Sequence, residues 1–298
     1  MGKSTSRSSQ NDTPPPVPDP LPAPVADSHT HLDMQGRTTE ESLELASSVN
    51  VTTLVQVGCD VLSSEWAVEQ AAAFPAIHAT VALHPNEAPR LVLGDMDEWA
   101  GTGARRPAGG RPALETALAR IAELAARPEV VGIGETGLDY FRTGPEGVTA
   151  QQESFRRHIA LAKDCGKTLV IHDRDAHADV LRILGEEGAP ERVVFHCYSG
   201  DAEMARSCAD AGYYLSFAGP VTFKANEALR EALRVTPRER VLVETDAPFL
   251  TPVPFRGRPN APYLIPYTVR SMAETLNADL RELCAALDAN TRRAFRLL

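Results

Sequence analysis

Between residues 25 and 245 the chain repeats one pattern: a short apolar run, a polar or turn-forming break, then a longer stretch with apolar residues at helical spacing. The apolar runs are VADSH at 25–29, VTTLVQV at 51–57, IHATVAL at 77–83, VVGIG at 130–134, TLVIH at 168–172, RVVFH at 192–196, YYLSF at 213–217 and VLVET at 241–245. A strand covered on both faces has no polar side to present, so it reads as a continuous hydrophobic run and belongs to a parallel sheet. Helical spacing is clearest at 40–49, 63–74, 113–127, 151–166, 201–212 and 226–235. Eight strands alternating with helices predict an α/β fold, a (β/α)8 TIM-type barrel occupying residues 25–298 as one domain.

Two stretches leave this pattern. Residues 1–24, MGKSTSRSSQNDTPPPVPDPLPAP, are rich in Ser and then Pro, with little to bury, and read as a disordered tail. Residues 101–112, GTGARRPAGGRP, read as a flexible surface insertion, with Arg105, Arg106 and Arg111 as solvated charges.

Composition narrows the function classes. With 43% hydrophobic residues in 298, the chain can build one large core. A net charge of −10 excludes the broad basic surface that dominates non-specific DNA binding; any nucleic acid must be handled at a small local site. The five cysteines form no CxxC pair, which points to a reducing, cytoplasmic setting. Cys197 reads as a buried small hydrophobe rather than a nucleophile. No apolar run approaches the ~18 residues of a membrane span, and no apolar stretch follows Lys3 and Arg7 as a secretory signal requires.

Chemistry enters at the strand ends. The first strand ends in His29 and leads to His31; the fourth runs into Glu135, the fifth ends in His172, the sixth in His196, and the eighth runs into Asp246. In a barrel of this kind the carboxyl ends of the strands hold the active site. Residues i and i+2 of a strand point the same way, so His29 and His31 converge on the mouth. A lone histidine there is more often a hydrogen-bonded polar residue, but five such coincidences at one rim favour a metal centre. Four imidazoles and two carboxylates exceed what one four-coordinate ion needs. They suit two ions roughly 3.5–4 Å apart, with Glu135 as the bridge and Asp246 as the base that takes a proton from water. His84 in VALHPNE and Arg174 in VIHDR face the same mouth as candidate phosphate contacts. His78 sits at the wrong end of its strand, and His158 and His177 read as structural or exposed. Lys224, Arg256 and Arg258 are further local positive charges.

The pieces DSHTHLD, LHPNE, GIGETGLDY, QQESFRRHIALA, VIHDRDA, VFHCYSG and VLVETDAPFLTP, with RGRPNAP at 256–262, resemble the TatD-related metal-dependent deoxyribonucleases of the amidohydrolase superfamily, in the same order across residues 25–298. The departures are Ala82, where the family usually has Gly, and Tyr198, where it commonly has Phe. The resemblance implies a metal-dependent hydrolase of phosphodiester bonds, acting on single-stranded DNA ends, often from the 3′ end. It implies His29, His31, Glu135, His172, His196 and Asp246 as ligands. Imidazoles favour Zn²⁺ or Mn²⁺, whereas the resemblance implies that Mg²⁺ supports activity. No stable protein partner is implied. The same constellation can attack an ester or amide, so a deacylase of aminoacyl-tRNA is the alternative; a non-enzymatic, metal-holding barrel is the third reading.

Overall fold

The computed structural model describes residues 13–95 and 107–297. Eight strands run β1 Val25–Thr30, β2 Val51–Val57, β3 Ile77–Val81, β4 Val130–Asp139, β5 Thr168–Arg174, β6 Val193–Phe195, β7 Tyr214–Phe217 and β8 Val241–Val243. They form one parallel sheet in the order β1 to β8. The ring closes just past β8: Thr30 bridges Ala247, the His31 N–H donates to Ala247 O at 2.9 Å, and the Asp246 N–H donates to His29 O at 3.0 Å. The predicted barrel is therefore present, with all eight expected strands.

Its interior explains why one end is reactive. Val55, Val170, Val194 and Leu242, from four different strands, cluster with Tyr214 and with Phe295 of the last helix. Side chains from so many strands meet only inside the ring, so apolar packing plugs its amino-terminal end. The polar positions are left to the carboxyl end. The helices α1 Thr39–Ser48, α2 Val61–Ala73, α3 Glu87–Leu93, α4 Gly110–Ala125, α5 Pro145–Cys165, α6 His177–Glu187, α7 Ala202–Asp210, α8 Glu227–Val235, α9 Ile265–Leu276 and α10 Leu280–Phe295 follow the strands. Side-chain caps start several: Thr38 with Glu41 forms a capping box on α1, and Asp60, Asp201 and Asp279 cap α2, α7 and α10. None of the described helices is long and apolar enough to cross a membrane.

Several expectations need correction. β4 continues five residues past Gly134, because Thr136, Gly137, Leu138 and Asp139 stay paired with Ile171 through Arg174 of β5. Gly137 makes this close approach possible: its φ is +130°, and a Cβ there would stand 2.2 Å from His172 O. Of the expected insertion, residues 101–106 lie outside the described residues, and Gly110–Pro112 form the first turn of α4 rather than a loop.

Residues 13–24 of the expected disordered tail also depart from that expectation. Residues 1–12 lie outside the described residues, but 13–24 follow the barrel wall. Leu21 is buried at 1% exposure and its N–H donates to Val49 O. Arg258 donates to Thr13 O and Pro14 O at 2.7 and 2.6 Å, Tyr263 Oη to Pro15 O at 2.6 Å, and Arg270 to Asp19 O and Pro20 O at 2.8 and 3.1 Å. A proline-rich backbone makes no internal hydrogen bonds, so its carbonyls stay available to side-chain donors. Low complexity suggested disorder; arginine and tyrosine donors far along the chain, Arg270 on α9 among them, supply order. Leu21→Ala is expected to destabilise the protein by about 2–5 kcal/mol, as for other buried Leu truncations. A denaturant midpoint equal to that of the parent would show this segment to be unpacked.

Candidate metal centre

β1 brings the first two donors together. His29 Nε2 and His31 Nε2 face each other at 3.2 Å, and both face Asp246 Oδ1, at 3.7 and 3.5 Å. Asp27 fixes this corner: its carboxylate accepts the Thr245 N–H at 2.9 Å, the Thr245 hydroxyl at 2.5 Å and the His29 N–H at 3.3 Å. Burial pushes the Asp27 carboxyl up to about 7.

Glu135 is the hub. Its carboxylate lies 3.9 Å from His29, 3.6 Å from His31, 3.3 Å from His172, 2.7 Å from His196 and 4.0 Å from His84. His172 Nδ1 and His196 Nε2 are 3.2 Å apart. The six predicted ligands are therefore gathered at one rim; His31, Glu135, His172, His196 and Asp246 line a cavity of about 620 Å³, and His29 is buried directly behind them.

The outer hydrogen bonds choose which ring nitrogen faces inward. His31 Nδ1 is held by Val57 O at 3.2 Å, and His196 Nδ1 by Glu244 Oε1 at 3.2 Å. An Nδ1–H spent in this way leaves the Nε2 lone pair toward the cluster, the arrangement usual for metal-binding histidines. His84 differs. Its Nδ1 accepts the Asn86 N–H at 3.0 Å, so Nε2 carries the proton and faces Glu135 as a donor. Burial holds its pKa down at about 3, which keeps the ring neutral.

The charges in the cluster pull against one another. Burial would raise the Glu135 pKa, yet the imidazoles of His196 and His84 hold it well below the carboxylate range. Burial would lower His196, yet Glu135 and Glu244 push it well up. His29 is driven well down by burial and by His196. His31 is raised to about 9, with Asp246 and Glu135 outweighing burial. A cation among these donors would relieve the conflict.

The spacing fits one. Ligands about 2.0–2.2 Å from a tetrahedral ion sit roughly 3.3–3.6 Å from each other. His29, His31 and Asp246 stand 3.2–3.7 Å apart, and they form one of the groups able to hold an ion. Glu135 forms others, with His29 and His196 and with His84 and His172. The first group holds Asp246, which was expected to touch that ion, and Glu135 meets His29 in a separate group with His196.

Sequence reasoning missed several neighbours. The Cys59 thiol donates to Glu135 Oε1 at 3.2 Å, and burial raises its pKa well above the usual range. Asp139 lies 3.4 Å from His172 Nε2 and accepts from Asn86 Nδ2 at 3.0 Å. Glu244 also accepts the Cys197 N–H at 2.8 Å. Its place two residues before Asp246 was the available signal. Cys197 is only partly buried and lines the cavity, a correction to its expected burial; desolvation of the thiol pushes its pKa well above the usual range. Arg174 lines the cavity with its guanidinium 3.9 Å from the centre of the Phe141 ring. Arg256 stacks on Phe223, and Arg258 is committed to the tail carbonyls. His158 is buried, accepting the Leu83 N–H, and His177 pairs with Asp173 at 2.7 Å.

Comparison with known proteins adds the context. A family model described as TatD related DNase matches residues 26–296. The chain is 42% identical to an uncharacterized metal-dependent hydrolase, TatD, of Mycobacterium tuberculosis, over 92% of this chain and 98% of that one. It is 38% identical to the uncharacterized metal-dependent hydrolase YabD of Bacillus subtilis, over 91% and 98%. The crystal structure of YjjV, a TatD homologue from Escherichia coli K12, superposes with a TM-score of 0.79 at 23% identity, covering 92% of this chain and 98% of that one.

Proposed function

The chain belongs to the TatD-related DNase family of metal-dependent hydrolases, and from that premise we propose that it cleaves phosphodiester bonds at single-stranded DNA ends. The observation that carries this reading is the gathering of His29, His31, Glu135, His172, His196 and Asp246 into one cluster, all but the buried His29 lining one cavity, with donor spacings that suit divalent ions.

Divalent ions, if held by these residues, would lower the pKa of water and neutralise charge on phosphoryl oxygens. The chain's own residues do the rest. Asp246 takes the proton from the attacking water, since its Oδ1 sits at the edge of the cluster and its side chain lines the cavity. Glu135 balances the imidazoles and keeps them in register. His84 Nε2–H donates to a non-bridging phosphoryl oxygen, a task its fixed tautomer suits better than metal ligation. Arg174 grips the same phosphate; among the described residues it makes no ion pair, so its charge is available.

The test pairs two substrates on the metal-loaded protein: a 3′-labelled single-stranded oligonucleotide and an acylated tRNA. A ladder of shortened strands is the expected result. Release of the amino acid, with the oligonucleotide intact, would replace this reading by a deacylase.

A further inference from the structure

Six large hydrophobic side chains are exposed among the described residues: Val17, Met34, Leu62, Phe141, Phe249 and Val253. Single exposed hydrophobes are ordinary, but three of these six, Met34, Phe141 and Phe249, stand at the cavity. Met34 and Phe249 line the cavity, and Phe141 rests on Arg174, which lines it too. Phe249 is 52% exposed and Phe141 63%.

The two phenylalanines stand on opposite rims. Phe141 follows β4 and Phe249 follows β8, four strands apart in a ring of eight, with the donor cluster between them. Both have anchored backbones. The Phe249 N–H donates to Asp246 O at 2.9 Å and its carbonyl accepts from Asn260 Nδ2 at 2.6 Å. The Phe141 N–H donates to Asp139 Oδ1 at 3.1 Å. Fixed main chain under an exposed ring makes a preformed flat surface. The Phe249 ring centre is 6.4 Å from that of His31, so this surface adjoins the reacting centre. On the far rim, Phe141 gives one face to the Arg174 guanidinium and leaves the rest to solvent.

We infer that Phe249 and Phe141 are stacking platforms for the bases of one nucleic-acid strand, Phe249 for the nucleotide at the scissile phosphate and Phe141 for a nucleotide further along. The inference rests on the proposed phosphodiester reading and adds to it how the strand is gripped. Every base has a π face, so such a grip is indifferent to sequence. It also needs no basic blanket, which a chain of net charge −10 does not offer.

The test measures binding of the full-length, metal-loaded protein to a single-stranded oligonucleotide whose phosphorothioate linkages resist cleavage. Its two terminal nucleotides are either normal or abasic, at the 3′ end in one pair of probes and the 5′ end in another. At one end, the abasic form is expected to bind about tenfold more weakly or worse. Phe249→Leu and Phe141→Leu should each lose about tenfold in affinity for the normal strand, while Phe249→Trp and Phe141→Trp keep it. Equal affinity for normal and abasic ends, or Leu variants that bind like the parent, would overturn the inference. An unmodified strand followed in parallel separates the two readings. Shortening without base-dependent binding overturns the platforms alone; base-dependent binding without shortening supports them and removes the nuclease reading.

Discussion

Asp246→Asn is expected to keep bound metal and lose hydrolysis by about 10²–10⁴-fold, the range for removing a general base. The substitution is well chosen for this backbone. Asp246 has a φ of +53°, a conformation that Asn tolerates and most other residues resist. Its N–H to His29 O, which ties the end of β8 to β1, is a main-chain bond that the variant retains. An amide oxygen can still face His29 and His31, but an amide cannot accept a proton from water at neutral pH. The expected profile is therefore a large fall in kcat with little change in metal content, read by steady-state kinetics beside elemental analysis. A variant with near-parental kcat would take Asp246 out of the chemistry.

Glu135→Gln should be the more damaging change to the centre itself. Among the described residues, Glu135 is the one carboxylate whose oxygens reach five histidines within 4.0 Å, and it is 4% exposed. Its charge helps raise His196, with Glu244, and His31, with Asp246, against burial. Gln keeps the volume and removes the charge, leaving an uncompensated set of imidazoles around an ion. Residues that merely support ligands cost about 10–100-fold in metal affinity or activity when lost. A residue at the centre should cost at least that much in both. Parental metal affinity in Glu135→Gln, measured against a competing chelator, would deny it a bridging role.

The barrel was legible because buried parallel strands advertise themselves as apolar runs, and because five of them deliver a histidine or carboxylate to the same end. The two-residue spacing of His29 and His31 translates into adjacent imidazole nitrogens. Other features depend on partners that spacing cannot reveal. Cys59 meets Glu135 across 76 residues, and His196 meets Glu244 across 48. The tautomer of His84, which separates a donor to substrate from a ligand, depends on where the Asn86 N–H points. Arg258 reads as a spare cation in sequence, yet it is taken up by Thr13 and Pro14, because a proline-rich segment offers carbonyls it cannot use itself. Short α3 carries too few turns to show a period, and β4 outruns its apolar run because its last residues are held by pairing with β5 rather than by hydrophobicity.

The most direct measurement is a calorimetric titration of the chelator-treated, folded protein with Zn²⁺ or Mn²⁺, repeated on a variant with His29 and His31 both replaced by Ala. Saturable uptake of two ions per chain is expected, with at least one ion lost in the variant. A folded protein that takes up no divalent ion, or a variant that binds as the parent does, would contradict the assignment of this cluster as a metal centre.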